Sequence, residues 1–372
     1  MDTVGSSGGT GLHPNERPCG SPLRLWQTRR MVEPTVPEDT LRMLGTTRRA
    51  YVIPELKLLY ISLAKNACTS IKWLMAELAG EDLESLRPTL GFYPNREAGV
   101  HNRYIWKKTP RLHEIPPEQR RSISPENGWM VFSVVRDPRT RLFSAWENKY
   151  LLRNPAYWSK VDRPWAPRLP TRAEDVIEDF AMFVRELAAD PDHEVFQSDA
   201  HFREQTFLLA EQYVPYSRIY DISEMRTMVA DLQEHVRAHG YAGPDLVLNN
   251  SNDTPLPANR EVFAHGVRED IEKIYASDFA RFGDQWDFSR MENRELTWTE
   301  ESFAHVHSVV KANERIADLA RAARKVERQN ERLRERNALL EKQVRRLRRK
   351  QRPDAIPRRA MRKLRSLRPS AG

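Results

Sequence analysis

The chain contains little cysteine, since only Cys19 and Cys68 occur among its 372 residues. Cys19 lies in a stretch rich in glycine, serine and proline, so a disulfide framework is excluded as the organising device and a reducing compartment is favoured. Long apolar runs are also missing. No segment reaches the roughly 20 residues that cross a bilayer, and the N-terminus lacks the apolar core of a signal peptide. The sequence therefore predicts a soluble, cytoplasmic protein.

Acidic residues are scarce at the C-terminal end. Residues 311–372 contain 22 Lys and Arg against 7 Asp and Glu, a net charge of +15, whereas the whole chain carries +8. The first 310 residues are therefore net acidic, at −7. A basic tail indicates an anionic partner, such as nucleic acid, a lipid surface or another polyanion, and the lipid case would place the protein at a membrane surface. A solvated helix rich in ion pairs would give the same pattern.

Composition divides the chain into five segments. Residues 1–50 are expected to be a flexible leader, and residues 51–290 alternate short apolar runs with helical patterns, which predicts an α/β domain. Residues 291–315 are expected to form a linker, residues 316–350 a coiled coil, and residues 351–372 a disordered basic tail. Within the domain, strands are predicted at 56–64, 128–135 and 213–222, and helices at 70–80, 138–152, 171–190 and 224–240.

A heptad repeat marks residues 316–347. Ile316, Ala323, Asn330, Asn337 and Val344 form one series, and Leu319, Val326, Leu333, Leu340 and Leu347 form the other. The two series are offset by three residues, as the a and d positions of a coiled coil are. Asparagines at a positions favour a parallel dimer in fixed register. We therefore expect a homodimer through this segment, because a single surface helix does not explain asparagine at a flanked by leucine at d.

Two strand–loop–helix units contain the residues expected to do chemistry. In the first, YISLAKNACTSIKWLM, the loop opens a helix, and the free N–H groups of a helix N-terminus bind anions. Lys65 adds a cation, and Thr69 and Ser70 add hydroxyl groups in the first turn. The loop has no glycine, which excludes the G-x-x-x-x-G-K-[ST] signature of nucleoside triphosphatases. We expect a phosphate loop that works without a metal.

The second unit, FSVVRDPRTRLFSAW, places Arg136 after a buried strand and Ser144 on the following helix. The carboxyl ends of such strands are where open α/β sheets bind ligands. A planar guanidinium suits a pair of phosphate oxygens, and Ser144 can reach the same anion. Asp137 and Pro138 would form the turn and begin the helix. For this unit alone, a structural ion pair between Arg136 and Asp137 is the alternative interpretation.

Both units resemble motifs of the family-2 carbohydrate sulfotransferases, which include the chondroitin and dermatan 4-O-sulfotransferases. AKNACTSIKWLM is similar to the family's 5′-phosphosulfate loop, PK-x-[AG]-C-[ST]-N-W-K-R. VVRDPRTRLFSAWENKY is similar to its 3′-phosphate motif, V-R-[DE]-P-F-E-R-L-[VL]-S-A-[YF]-x-[ND]-K-[FY]. The segments DAHFREQ, YDISEM and IYASDFARFG give weaker matches, and the resemblance covers about residues 51–290.

The resemblance implies a P-loop-like sulfotransferase fold, with a central parallel sheet flanked by helices, and a donor, 3′-phosphoadenosine 5′-phosphosulfate (PAPS), used without a metal. Arg136 and Ser144 would bind the 3′-phosphate. The 5′-phosphosulfate would be bound by Lys65, Ala67, Cys68, Thr69 and Ser70. Lys65 would also neutralise charge on the leaving oxygen. The acceptor would be a hydroxyl group of a carbohydrate or of another glycosylated molecule.

The chain departs from the family pattern at several positions. Ala64 stands where the family usually has proline, and Ser70 and Ile71 replace Asn-Trp. Arg139 and Thr140 replace Phe-Glu. The family's cysteine pair and its Golgi anchor are missing, which suggests a soluble, bacterial type of member.

A base is needed to take the proton of the acceptor hydroxyl, and histidine suits this task near neutral pH. We favour His101, which lies between the two motifs where the family also has a histidine. His201, in DAHFREQ, is the second candidate. His113 is less well placed, and Glu77 and Glu147 are remote alternatives. A hydrogen-bonded structural histidine would give the same pattern at either position.

Two other functions compete with sulfuryl transfer. A nucleotide or small-molecule kinase of related fold is disfavoured, because the Walker glycines and an obvious carboxylate for Mg²⁺ are missing. A non-enzymatic coiled-coil scaffold, whose basic tail binds an acidic partner, is disfavoured by the presence of Lys65, Arg136 and Ser144.

Overall fold

A computed structural model of the chain describes residues 46–157, 164–190, 192, 197–249, 255–350 and 362. The expected flexible leader lies outside the described residues up to position 45. The expected basic tail lies outside them except at position 362.

A sheet of four strands, in the order β1-β2-β3-β4, forms the centre of the described domain. The strands are β1 (Ala50–Ile53), β2 (Leu58–Ile61), β3 (Met130–Val135) and β4 (Arg218–Asp221). Strands β2, β3 and β4 are parallel, whereas β1 pairs with β2 in the antiparallel sense. The α/β prediction is confirmed. The antiparallel edge strand was missed, because four residues are too few to show a period in the sequence.

The helices flank this sheet. They are α1 (Thr46–Arg49), α2 (Cys68–Leu78), α3 (Pro117–Arg121), α4 (Pro138–Trp146), α5 (Ala173–Ala189), α6 (Gln205–Leu209), α7 (Met225–Ala238), α8 (Val267–Ile274), α9 (Ala276–Phe282), α10 (Ser289–Glu292) and α11 (Glu300–Lys350). The helix predicted at 138–152 is not α-helical throughout, since Glu147–Leu151 form a π-helical turn after α4. Such turns occur frequently at functional sites.

Aromatic side chains fix α2 and its preceding loop on the sheet. Tyr51, Tyr60, Phe132 and Tyr220 form a row across the four strands, with neighbouring ring centroids 5.0–6.4 Å apart. Alternate residues of a strand point to opposite faces, so this row lies on one face, where buried residues of α2 and α7 pack against it. The loops that follow β2 and β3 are therefore held at one edge of a rigid sheet.

Helix α11 begins at Glu300, inside the segment expected to be a linker. Phe303, Val306 and Val310 are buried in the core formed with α4 and α5, because their spacing places them on one helical face. Within the described residues, Arg324 makes the contact with the domain that lies farthest along α11, with its guanidinium carbon 4.2 Å from the centroid of the Phe92 ring. Beyond Arg324 the described helix is exposed. Within the described residues, no helix combines the length and apolar character needed to cross a membrane.

Candidate active site

The loop between β2 and α2 contains two residues in the left-handed region. Lys65 has a φ of 68° and Ala67, the N-cap of α2, a φ of 55°. Residues with a β-carbon rarely adopt this region, and such strain costs about 1–3 kcal/mol. Left-handed residues in a turn direct successive N–H groups to one side and create an anion-binding concavity. The loop thus achieves without glycine the winding expected of a phosphate loop.

One buried glutamine joins the two loops. The Oε1 atom of Gln205 accepts hydrogen bonds from Asn66 Nδ2 at 2.8 Å and from the Arg136 backbone nitrogen at 3.0 Å. Its Nε2 donates to the Arg136 carbonyl at 2.8 Å and to Asp278 Oδ2 at 3.3 Å. These bonds use every hydrogen-bonding position of a side-chain amide. Because Gln205 bonds to both loops, the two loops keep a fixed separation.

Arg136 follows β3 and faces the first loop. Its Nη1 donates to the Lys65 carbonyl at 3.2 Å, and its Nε donates to Thr140 Oγ1 at 3.0 Å. Asp137 does not form the expected alternative pair with Arg136. Its carboxylate instead binds the Arg139 guanidinium at 2.7–3.1 Å. Arg139 and Thr140 are two residues that depart from the family pattern. Arg139 binds the Asp137 carboxylate, and Thr140 accepts a hydrogen bond from Arg136 and orients it. The Arg136 guanidinium is therefore available for an external anion.

A cavity of about 300 Å³ opens beside Arg136. Thr140, Ser223, Trp286 and Arg294 contribute to its lining. Its volume lies at the lower end of the range of small-molecule sites, roughly 300–1,000 Å³. Burial lowers the pKa of Arg136 to about 10, although the Asp137 charge opposes this effect. The guanidinium remains charged at neutral pH.

Both candidate histidines lie in one site together with Lys65 and Lys149. The pKa of each lysine is lowered to about 8, chiefly by burial. The charge of Lys149 lowers the Lys65 pKa further, while the carboxylate of Glu147 opposes the change. Burial, followed by lysine charges, also lowers the pKa of His101 and of His201, the latter to about 4. The imidazoles are therefore neutral at pH 7, and the site is a cationic pocket that attracts anions.

His101 ends the 3-10 helix Arg96–His101 and has both ring nitrogens engaged. Lys72 Nζ lies 2.9 Å from Nδ1, and Thr69 Oγ1 lies 3.0 Å from Nε2. An ammonium group can only donate, so Nδ1 accepts, and the proton of the neutral ring is on Nε2. His101 thus has no free lone pair in this arrangement.

His201 has the opposite arrangement. Its Nδ1 lies 2.7 Å from Asp199 Oδ1 and 3.2 Å from the hydroxyl of Tyr157. Burial alone would raise the pKa of Asp199, but the proximity of His201 holds it below its usual value, so the carboxylate is ionised. The neutral ring therefore donates its Nδ1–H to Asp199 and keeps the lone pair of Nε2. A carboxylate that fixes the tautomer in this way prepares a general base.

A family model described as the sulfotransferase family matches residues 48–284, more than half of the chain. The chain belongs to the sulfotransferase family. Comparisons with curated proteins and with solved structures give no match. The matched range of this sulfotransferase includes both loops, both histidines and Gln205, whereas α11 lies beyond it.

The remaining residues that the sequence predicted for the site lie on several different elements of the fold. Cys68, Thr69 and Ser70 form the first turn of α2, and Ser144 is buried on α4. His113 lies on another 3-10 helix, Leu112–Glu114, and Glu77 is exposed on α2. Glu147 is buried near Lys65 and accepts a hydrogen bond from the Leu256 backbone at 2.9 Å. In the described ranges no three His, Cys, Asp or Glu side chains converge as metal ligands would.

Four residues of the candidate site were not predicted from the sequence. Lys149 is in the N-K-Y end of the second motif, and Asp199 and Gln205 begin and end the segment DAHFREQ. Tyr157, whose hydroxyl reaches His201, lies outside the motifs. The first three lie within segments that resemble the family's motifs, so the resemblance is the signal that indicates them.

Proposed function

We propose that this sulfotransferase moves a sulfuryl group from PAPS to a hydroxyl group of a carbohydrate or glycosylated acceptor. The observation that carries the proposal is the pair of anion-binding loops held at fixed separation by Gln205. Arg136, beside a cavity of nucleoside size, offers one cation, and Lys65, beside a histidine, offers another. A donor with phosphate groups at both ends of one nucleoside fits this arrangement.

Each loop would hold one end of the donor. Arg136, with Ser144, would bind the 3′-phosphate, and the N–H groups from Ala67 to Ser70 would bind the 5′-phosphosulfate. When bound, PAPS supplies an activated sulfuryl group. Lys65 would neutralise the charge that the leaving phosphate oxygen gains, which stabilises the transition state more than the ground state.

The structure favours His201 over His101 as the base, which reverses the order expected from the sequence. Nε2 of His201 would take the proton of the acceptor hydroxyl as its oxygen bonds to sulfur and the bond from sulfur to the phosphate oxygen breaks. Asp199 would stabilise the imidazolium that results. His101, engaged by Lys72 and Thr69, would position the first turn of α2.

The donor assignment predicts a specific effect of Arg136→Ala. Wild-type protein should bind adenosine 3′,5′-bisphosphate (PAP) more tightly than adenosine 5′-monophosphate or ATP with Mg²⁺. The variant should lose about 100-fold in PAP affinity, because losing a buried, hydrogen-bonded charge costs roughly 2–5 kcal/mol. Its affinity for adenosine 5′-monophosphate should hardly change, since that ligand has no 3′-phosphate. Calorimetric titration measures each affinity.

Arg226→Ala is the matched control, because it removes an exposed arginine from α7. Its PAP affinity should equal that of the wild type. If Arg136→Ala bound PAP as tightly as the wild type, the donor assignment would be wrong.

We also propose a homodimer through residues 316–347. Six apolar side chains of the heptad series are 45–58% exposed on α11: Leu319 beside the domain, and Val326, Leu333, Leu340, Val344 and Leu347 on the part beyond Arg324. A second copy of this helix would bury them in a coiled coil. The cytoplasmic location and an anionic partner for the tail stay predictions.

Removing the five of these side chains that lie beyond Arg324 should convert the dimer into a monomer. The truncation should follow Arg324, because Asn313, Ala317 and Ala320 pack on the domain and must be retained. We expect sedimentation equilibrium to give a dimer for the full chain and a folded monomer for the truncated one. The double variant Leu333→Asp/Leu340→Asp should also be monomeric. A truncated chain that remained dimeric would place the interface elsewhere.

A further inference from the structure

Helix α11 lies beyond the range that the family model matches, yet its first part packs on the domain that contains the active site. Val306, Val310, Ala317 and Ala320 form a buried stripe along the face that meets the domain. Asn313 interrupts this stripe and is 3% exposed. A buried side-chain amide needs a hydrogen-bond partner within the protein, because water does not reach it. The partner of Asn313 therefore indicates the role of this residue.

Asn313 binds the end of the π-helical turn of the active site. Its Nδ2 donates to the Leu152 carbonyl at 2.6 Å. Leu152 directly follows the turn Glu147–Leu151, and carbonyls at the end of a helical segment have no partner within that segment. The next residue, Arg153, has a left-handed φ of 49° and forms an ion pair with Glu314, the neighbour of Asn313 on α11. Two successive residues of α11 thus fix two successive residues where the chain leaves the π-helical turn.

The segment that α11 fixes in this way leads to Tyr157 and so to His201. Asn154 is buried, its backbone nitrogen donates to the Lys149 carbonyl at 3.3 Å, and its own carbonyl accepts from the Tyr157 nitrogen at 2.8 Å. The Tyr157 hydroxyl lies 3.2 Å from Nδ1 of His201. The same hydroxyl bonds to the side chain of Asp199, the carboxylate that fixes the tautomer of His201. A short segment of chain and its hydrogen bonds therefore connect α11 to the proposed base.

We propose that Asn313 and Glu314 are positioning residues for His201 and that they act through Tyr157. They contact the start of the segment 152–157, so their effect on the base passes along that segment. A shift of about 1 Å in a catalytic group costs on the order of 100-fold in rate, even when the substitution that causes it is remote. The effect on turnover rests on the proposed sulfuryl transfer, whereas the effect on the tautomer of His201 does not. The catalytic unit of this chain thus extends beyond the domain that the family model matches.

The first test compares turnover with donor binding in the full chain. Asn313→Ala should lower kcat about 10- to 100-fold, because the segment that carries Tyr157 is no longer fixed. PAP affinity, measured by calorimetric titration, should stay near that of the wild type, since both donor loops belong to other segments. The matched control is Asn127→Ala, which removes an exposed asparagine that bonds to Ser124 Oγ at 3.2 Å, and it should keep both wild-type values. Sedimentation equilibrium should give all three proteins the same oligomeric state.

A charge exchange keeps the proposal testable even if Asn313→Ala does not fold. The side chains of Arg153 and Glu314 reach the surface, at 20% and 38% exposure. Glu314→Arg breaks the ion pair and places two cations together, so kcat should fall about 10-fold. Arg153→Glu/Glu314→Arg restores the pair with its charges exchanged and should recover most of the wild-type kcat. If kcat did not recover although this double variant bound PAP normally, the ion pair would not position the base and the proposal would be wrong.

Tyr157→Phe tests the route, because it removes the hydroxyl and keeps the ring. This variant should also lower kcat about 10-fold. Adding Asn313→Ala to Tyr157→Phe should then lower kcat little further, since two changes along one route are not additive. If the two losses multiplied instead, Asn313 would not act through Tyr157 and the proposed route would be wrong.

Nitrogen NMR of the histidine rings separates this inference from the proposed function, because it needs neither donor nor turnover. The signals of His201 in isotope-labelled protein are identified by their absence from His201→Gln. Wild-type His201 should give one tautomer, with the proton on Nδ1, whereas Asn313→Ala and Tyr157→Phe should give a mixture. An unchanged tautomer in both variants would contradict the positioning role. If the tautomer changed as expected but the wild type neither bound PAP nor transferred sulfuryl groups, the positioning would stand and the transfer from PAPS would fall.

Discussion

Replacing Lys65 by methionine is expected to slow sulfuryl transfer by about 100- to 1000-fold, the usual loss when one transition-state donor is removed. PAP affinity should fall much less, because Arg136 and the backbone N–H groups of the loop remain. Methionine keeps about the length of the side chain and removes the charge. Since lysine and methionine both have a β-carbon, the left-handed backbone conformation at this position should cost the variant about the same free energy as the wild type. Single-turnover rates with radiolabelled PAPS, using an acceptor found by a saccharide screen, measure the first effect, and calorimetric titration measures the second.

The pH dependence gives a control on the same residue. A lysine with a pKa of about 8 is charged below that value, so kcat/KM for PAPS should fall as the pH rises through about 8. Lys65→Arg keeps a cation at all these pH values and should move this alkaline limb upward. If the limb stayed in place, it would belong to Lys149, whose pKa is also about 8. If Lys65→Met matched the wild-type single-turnover rate, Lys65 would have no role in leaving-group stabilisation.

The sequence was sufficient for the parts of the molecule that depend on local pattern. The glycine-free loop that follows β2, the arginine that follows β3 and the exposed heptad stripe each come from neighbouring residues, so spacing alone indicates them. The winding of the loop was not predictable in detail. Lys65 and Ala67 adopt left-handed conformations that their residue types disfavour, and only the surrounding structure can impose such strain.

Contacts between distant segments could not be predicted. Gln205 is separated by 69 residues from Arg136 and by 139 from Asn66, and nothing in DAHFREQ identifies the partners of that side chain. Similarly, Phe303 and Val306 look like part of a solvated segment until the aromatic core of α4 and α5 is present to bury them. In both cases a single sequence gives the residue type, and the fold decides what it contacts.

The choice between the two histidines also depends on which groups each side chain contacts in the fold. Position between the motifs favoured His101, but position does not determine which ring nitrogen carries the proton. Lys72 forces Nδ1 of His101 to accept a hydrogen bond, whereas Asp199 makes Nδ1 of His201 a donor. The hydrogen-bond partners therefore assign opposite tautomers to two histidines of equal chemical capacity, and only one of them retains a lone pair on Nε2.

His201→Gln is consequently expected to lower kcat by about 100- to 10,000-fold, the contribution of a positioned general base. In the wild type, kcat/KM should fall as the pH drops below about 4, because burial and the Lys149 charge set the pKa of the free imidazole there. The charge of bound PAPS offsets that of the lysines, so the acid limb of kcat, which reports the complex, should lie at higher pH. Asp199→Asn should also lower kcat, since it removes the acceptor that fixes the tautomer. Rates measured across pH with radiolabelled PAPS give both limbs.

His101→Gln is the matched control, because a glutamine amide can accept from Lys72 and donate to Thr69 as the imidazole does. This variant should keep most of the wild-type kcat and the same acid limb, and its PAP affinity should be near normal. His201→Gln should bind PAP normally as well, which separates a lost base from a collapsed site. The opposite result, with His101→Gln inactive and His201→Gln active, would assign the base to His101. Lys72 would then have to release Nδ1 when the donor binds, and the order expected from the sequence would be restored.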